Sequence, residues 1–203
     1  MRALFVALLL AGLLVLMPSA PAQAGVTCPR TSSTVVVFGD SMTVGATPLL
    51  NRVQPAWSID AFWGRGVLQL PRQIDRWLAG HRLPPKVAVI ALGTNEQAGW
   101  TRAHYVHAIR KFPISTRIVF VNTYRPGAAA AGLSDGREYS RWMVEIAQSP
   151  TMKHVVTVAN WRRIAINDPA MIRDGTHQSE KGLRYWTAAV TSTATRASDA
   201  KVC

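Results

Sequence analysis

The sequence predicts an α/β domain in which a five-stranded parallel sheet is covered by helices on both sides. Short, continuous, β-branched runs such as Thr34 to Phe38 (TVVVF) and Val87 to Leu92 (VAVIAL) suit strands buried on both faces. Segments with apolar residues at helical spacing separate these runs, and strand-helix alternation gives parallel pairing because each crossover needs a helix's length of chain. The span from residue 25 to residue 203 fits one domain with a single core, with no repeat, linker or charge block to divide it.

The elements follow in order. After the first strand, Gly39-Asp40-Ser41 forms a tight turn into a helix over about Val44 to Val53, with Pro48 expected in its first turns. Ser58 to Phe62 is a second strand. Val67, Leu70, Ile74, Trp77 and Leu78 then recur at helical spacing until Gly80 stops them. Val87 to Leu92 is the central strand, and Thr101 is placed to cap a helix through Ala103, Val106 and Ile109. Arg117 to Val121 is the fourth strand, and the Ala/Gly-rich residues 127 to 132 read as a loop. Asp135 to Gln148 is a helix with Tyr139, Trp142, Met143 and Ile146 on one face. His154 to Ala159 is the fifth strand, and residues 179 to 195 form the closing helix.

The chain's start reads as an export signal. Arg2 precedes an apolar run over residues 3 to 17, and Ala22-Gln23-Ala24 is a small-x-small cleavage site, so residues 1 to 24 are expected to be removed. The run is short of the roughly 20 apolar residues of a membrane span, and an uncleaved anchor is the alternative. Cys28 and Cys203 are the only cysteines, and in an oxidising compartment they are candidates to join the two ends; two free thiols or an intermolecular bond are the alternatives. The whole chain carries a net charge of +12, and loss of Arg2 with the leader leaves +11. Because the basic residues are dispersed, the surface suits anionic envelope polymers or acidic lipids, or is merely solvated. Export argues against a nucleic-acid partner, and a secreted or envelope-associated monomer is expected.

In a parallel sheet covered on both faces the ligand crevice lies at the carboxyl ends of the strands. Three unusual loops fall there: Gly39-Asp40-Ser41, Gly93-Thr94-Asn95 and the segment from Asp174 to His177. A serine hydroxyl is a poor nucleophile until a base takes its proton, and the base needs a third group to orient it. Ser41 stands in a strand-to-helix turn where helix N–H groups favour negative charge. Asp174 and His177 are spaced so that one short turn sets the carboxylate against Nδ1–H and leaves Nε2 free for Ser41. Acyl transfer also needs donors for the oxyanion, and Gly66 offers a bare backbone N–H and Asn95 a side-chain amide. Each residue alone has an ordinary explanation: a helix cap, a surface turn, a loop glycine, a self-bonded asparagine.

In combination, Gly39-Asp40-Ser41, Gly66, Gly93-Thr94-Asn95-Glu96 and Asp174-Gly175-Thr176-His177 resemble, in this order and at these separations, the four sequence blocks of the SGNH hydrolases, the GDSL esterase/lipase superfamily. The resemblance covers essentially the whole chain after the leader. It implies a flavodoxin-like three-layer α/β/α sandwich. It further implies Ser41 as nucleophile and oxyanion donor, Gly66 and Asn95 as the other two donors, and Asp174 and His177 as acid and base. Two departures stand out: Met42-Thr43 follows the serine where the eponymous pattern has Leu, and Glu96 replaces the common Asp, which bears on support of that loop. Gly64 competes with Gly66 for the second block.

The expected activity is hydrolysis of carboxylic esters, of lipids or acetylated glycans, through an acyl-enzyme without metal or cofactor. Acyl transfer to a sugar hydroxyl is the rival within the family, and a basic envelope-binding module without turnover is the rival outside it. His104 and His107 lie at i, i+3 but lack an evident third metal ligand. Trp100, just after the Asn95 loop, is the tryptophan expected to line the substrate site.

Overall fold

Val35–Gly39 (β1) and Val87–Ala91 (β3) are buried at every position, as their unbroken apolar sequences require. In the computed structural model, which describes residues 28–202, these two strands pair in parallel over their whole length, from Val35 opposite Val87 to Gly39 opposite Ala91. Ser58–Ala61 (β2) adds to the other side of β1, while Arg117–Val121 (β4) and Val155–Ala159 (β5) extend the sheet beyond β3. The resulting order β2-β1-β3-β4-β5 is all parallel, the flavodoxin-like arrangement. The chain adds β2 on one side of β1 and then crosses to add β3 on the other, so the sheet's direction of growth reverses between β1 and β3.

Two cores follow from the period-2 alternation of the strands. Val36, Phe38, Ala88, Ile90, Ile118 and Phe120 face Leu70–Ala79 (α2), Arg102–Ile109 (α3) and Arg137–Ala147 (α4). Val35, Val37, Val87, Val89, Val119 and Val121 face Ser41–Val53 (α1), Trp161–Ile166 (α5) and Glu180–Ser198 (α6). The three-layer sandwich expected from the sequence is therefore present.

The differences from the sequence reading are local. Helix α1 begins at Ser41 rather than near Val44, because Asp40 caps it by accepting the Met42 N–H at 3.0 Å. Pro48 consequently sits inside the helix. The stretch between β5 and α6, read as a loop, contains α5 and a 3-10 turn at Pro169–Met171, each capped by the preceding Asn160 or Asp168. Part of the Ala/Gly-rich loop winds into a 3-10 segment, Pro126–Ala131. The expected leader and Cys203 lie outside the described residues. Cys28 lies inside them and is not a free thiol. Among the described residues no helix is long and apolar enough to cross a membrane.

Ile90 is fully buried in the central strand, whereas Ile166 at the end of α5 is 47% exposed. Ile90→Ala is expected to lower unfolding free energy by about 3 kcal/mol, and Ile166→Ala to change it by no more than about 0.5 kcal/mol. Urea titrations of the two variants followed by far-UV circular dichroism check this.

Candidate active site

The turn after β1 sets the first reactive group. Gly39 is required there by close approach, since a Cβ would fall 2.0 Å from Thr43 Oγ1. The chain therefore turns directly from strand to helix, and Ser41 becomes the first residue of α1, only 5% exposed. Backbone N–H groups in that turn have no partner within the helix and are oriented toward negative charge.

His177 Nε2 lies 3.0 Å from Ser41 Oγ. On the other side of the ring, Nδ1 lies 3.0 Å from Asp174 Oδ2 and 3.2 Å from Oδ1. A carboxylate can only accept, so Nδ1 carries the proton and Nε2 is left to accept from the serine hydroxyl. The Asp174 carboxyl is held down to about 2, foremost because the His177 backbone N–H donates to it at 2.8 Å, with further help from the ring and the Thr176 N–H. Asp174 is thus a carboxylate throughout the pH range in which proteins of this type remain folded.

What holds this turn in place lies in the backbone around it. Ile172 and Gln178 form an antiparallel bridge, and the Arg173 N–H donates to the His177 carbonyl at 2.8 Å. Buried Gln178 donates through Nε2 to the Met42 carbonyl, tying the His177 turn to the helix that begins at Ser41. Gly175, at φ +80°, lies against Gly127 so closely that a Cβ would stand 2.9 Å from the Gly127 Cα. There the Gly127 N–H donates to the Gly175 carbonyl at 2.9 Å. The Ala/Gly-rich segment after β4 is therefore a docking surface for the Asp174 to His177 turn.

The five site residues of the sequence reading are not equivalent in this geometry. Ser41, Asn95, Asp174 and His177 line one cleft of about 290 Å³, together with Thr94, Arg125, Gly127, Ala128, Ala131, Leu133 and Thr176. Gly66 stands behind that lining, and its N–H donates to Gln69 Oε1 at 2.8 Å. A Cβ on Gly66 would fall 2.0 Å from Gln97 Oε1, so a side chain there would require Gln97 to move. Asn95 Nδ2 donates to the Arg65 carbonyl at 3.1 Å, which links the Asn95 loop to the Gly66 loop.

Trp100 does not reach the cleft. It is buried against Tyr105, Tyr139 and Trp142, because the loop after Asn95 turns back over α3 and α4. The tryptophan beside the site is Trp63, whose ring is edge-on to His177 at 6.1 Å between centroids. His104 Nδ1 accepts the Thr101 N–H at 2.9 Å, which makes it part of the α3 cap. No group of three potential metal ligands occurs among the described residues.

Two further residues escaped the sequence reading. Arg125, only 5% exposed, donates through Nη1 to the Thr94 carbonyl and sets Nη2 3.7 Å from Glu96 Oε2. Glu96 in turn accepts the Ser134 N–H. Arg125 follows a strand at the sheet's carboxyl edge, which was its one available signal. Asp40 is fully buried, and burial pushes its carboxyl up to about 6 against the opposing pull of the Met42 N–H.

Ser41, His177 and Asp174 thus stand in hydrogen-bond contact at the β1/β3 reversal of a flavodoxin-like sheet. No family model and no curated protein sequence matches the chain. Solved structures do. The C-terminal catalytic domain of Streptococcus pneumoniae peptidoglycan O-acetyltransferase A, captured as a methylsulfonyl adduct, superimposes with a TM-score of 0.74 at 17% identity, covering 85% of this chain and 98% of that domain. A lipolytic protein of the G-D-S-L family from Veillonella parvula gives 0.66 at 16% identity, covering 81% and 100%. A lipase/acylhydrolase from Enterococcus faecalis gives 0.62 at 16%, covering 81% and 97%. The fold is that of the GDSL, or SGNH, hydrolases.

Two measurements test this account of the site. The raised folded-state value of Asp40 means that its contribution favours the fold fully below its ordinary value of 3.8 and is lost as pH rises through about 6. Asp40→Asn keeps an acceptor for the Met42 N–H, so its melting temperature should exceed wild type by several degrees at about pH 8 and converge with it near about pH 4. Arg125→Ala removes the tie between the Thr94 and Ser134 loops. It should cost about 2 to 4 kcal/mol, with Arg125→Lys recovering only part, as read by chemical denaturation.

Proposed function

We propose that this protein is an exported serine enzyme of the SGNH type that cleaves carboxylic esters through an acyl-Ser41 intermediate. The observation that carries the reading is the unbroken chain from Asp174 through His177 to Ser41 Oγ, with 3.0 Å on each side of the imidazole.

In the first half-reaction the Ser41 hydroxyl oxygen attacks the ester carbonyl carbon as its proton passes to His177 Nε2, and Asp174 stabilises the imidazolium. The negative charge that appears on the carbonyl oxygen meets the Ser41 N–H and the Asn95 side-chain amide. Gly66 is the third proposed donor, and it joins them when Gln69 releases its N–H. The carbon–oxygen bond to the alcohol then breaks, and Nε2 returns the proton to the departing oxygen. Water, deprotonated by the same nitrogen, attacks the acyl carbon, and Nε2 then returns the proton to Ser41 Oγ as the acyl–oxygen bond breaks, freeing the acid.

A sugar hydroxyl in place of that water would make the enzyme an O-acyltransferase. The superposition on a peptidoglycan O-acetyltransferase domain, over 98% of its length, favours keeping this second reading. Residues 1–24 are proposed to direct export, residues 25–203 to form the enzyme domain, and Cys28 to pair with Cys203. The net charge of +12 suits an anionic envelope surface or an anionic polymer bearing the ester.

The deciding experiment is turnover of p-nitrophenyl acetate, butyrate and palmitate by the chain from Gly25, with and without a glycan acceptor. Ser41→Ala and His177→Ala should each lose essentially all activity, and Asn95→Ala about 10² to 10³ of kcat with KM little changed. Transfer of acetyl to the glycan with little free acetate would select the transferase. A folded wild type inactive under both conditions, and unlabelled at Ser41 by a fluorophosphonate, would sink the proposal.

A further inference from the structure

Beside the triad the chain displays two large apolar side chains to solvent. Phe62 is 65% exposed and Trp63 58% exposed. They occupy the loop between β2 and α2, and that loop is braced at several points. The Phe62 N–H donates to the Gly39 carbonyl and the Arg65 N–H to the Phe62 carbonyl. The buried Arg65 guanidinium folds back to grip Asp60 at its carbonyl and, at 2.8 Å, its carboxylate. The Arg65 carbonyl is held by Asn95. A well-anchored turn that holds aromatic surface in water is the pattern of a ligand platform.

Its position says which part of an ester would meet it. The oxyanion donors Ser41 and Asn95 hold the acyl carbonyl, whereas His177 Nε2 must stand next to the alcohol oxygen in order to protonate it. Trp63 lies edge-on to the His177 ring, outside the cleft that runs from Ser41 toward Arg125 and Leu133. A group resting on Trp63 is therefore on the alcohol side of the scissile bond.

The cleft itself restricts the acyl side. Its apolar lining is confined to Gly127, Ala128, Ala131 and Leu133, and the remaining lining residues are Ser41, Thr94, Asn95, Arg125, Asp174, Thr176 and His177. A long acyl chain gains about 0.8 kcal/mol per buried CH₂ only where apolar walls accept it. This site instead suits a short acyl group. An alcohol with one flat C–H face and a rim of hydroxyls would lay the face on the tryptophan and turn the rim to polar neighbours such as Thr176 and to water.

We propose that Trp63 is the alcohol-side subsite of this enzyme and takes a sugar ring, so that the substrate is a short-chain acyl ester of a glycan. The proposal rests on the ester-cleaving reading above.

The test compares an O-acetylated chito-oligosaccharide with ethyl acetate, whose alcohol has no ring, in wild type, Trp63→Ala and Trp63→Phe. In Trp63→Ala the ratio of kcat/KM for the sugar ester to that for ethyl acetate should fall about tenfold, mainly through KM, and Trp63→Phe should recover most of it. Equal loss on both esters would make Trp63 a support for His177 and overturn the proposal, as would an unchanged ratio. A loss confined to palmitoyl esters or to binding of anionic phospholipid vesicles would overturn it in favour of a lipid surface. Calorimetric titration of Ser41→Ala with the unacetylated oligosaccharide separates the two readings. Binding that Trp63→Ala abolishes supports the platform even if no ester is turned over, and turnover without such binding leaves the esterase standing and removes the platform.

Discussion

The pairing of β1 with β3 is the constraint on which the rest depends. Both strands are buried on both faces and hydrogen-bonded on both edges, so neither can shift without exposing a core. Because the sheet grows outward in opposite directions from this pair, the loops leaving their carboxyl ends diverge and leave a crevice. Ser41 follows β1 by way of Asp40, and Asn95 follows β3 by way of the Leu92 to Thr94 turn. Ser41 and Asn95 are thus placed by two strands buried at every position and paired on both edges, which suits groups that must hold position to a fraction of an ångström.

His177 and Asp174 arrive differently. They lie on a turn far along the chain, and the sheet does not hold that turn directly. It is fixed by contacts that use little side-chain volume: the glycine-to-glycine contact with residue 127, the Ile172 to Gln178 bridge, and one amide from Gln178 to the start of α1. Asp174 needs no burial to stay charged, since backbone N–H groups supply the stabilisation. Asp40 shows the opposite arrangement. Its carboxyl is fully buried beside Ser41, with one oxygen capping α1 and burial favouring its neutral form. That cost in stability is concentrated at the site, where such costs are commonly tolerated.

The sequence was legible where a residue's identity and its local period carried the information. The five strands appear in the sequence as apolar runs, and Ser41, Asn95, Asp174 and His177, which line one cleft, lie in short motifs. Helix α5 was missed because Trp161, Ile164 and Ala165 span too few turns for a period to show, and its start depends on Asn160 as a cap. Trp100 was misplaced because nearness in sequence to Asn95 says nothing about the direction in which the intervening Gly99, at φ +77°, turns the chain. Beyond the place of Arg125 after a strand, neither its role nor the Gly127 to Gly175 contact could be read. Each acts across tens of residues, and their types, one arginine and two glycines, are common in loops for unrelated reasons.

These unread contacts connect the loops that the motifs mark separately. Arg125 joins the loop after β3 to the loop after β4, Gly127 joins that same loop to the Asp174 turn, and Asn95 joins the loop after β3 to the one after β2. The four loops therefore form a continuous series of neighbours around the cleft, each tied to the next. Such a frame leaves the exposed rim, Phe62, Trp63 and Leu133, free to differ in sequence without disturbing the hydrogen bonds that hold Ser41 and His177 together. Selectivity for the alcohol and acyl parts can then reside in residues that contribute little to the fold, and the reactive groups in residues that the fold over-determines.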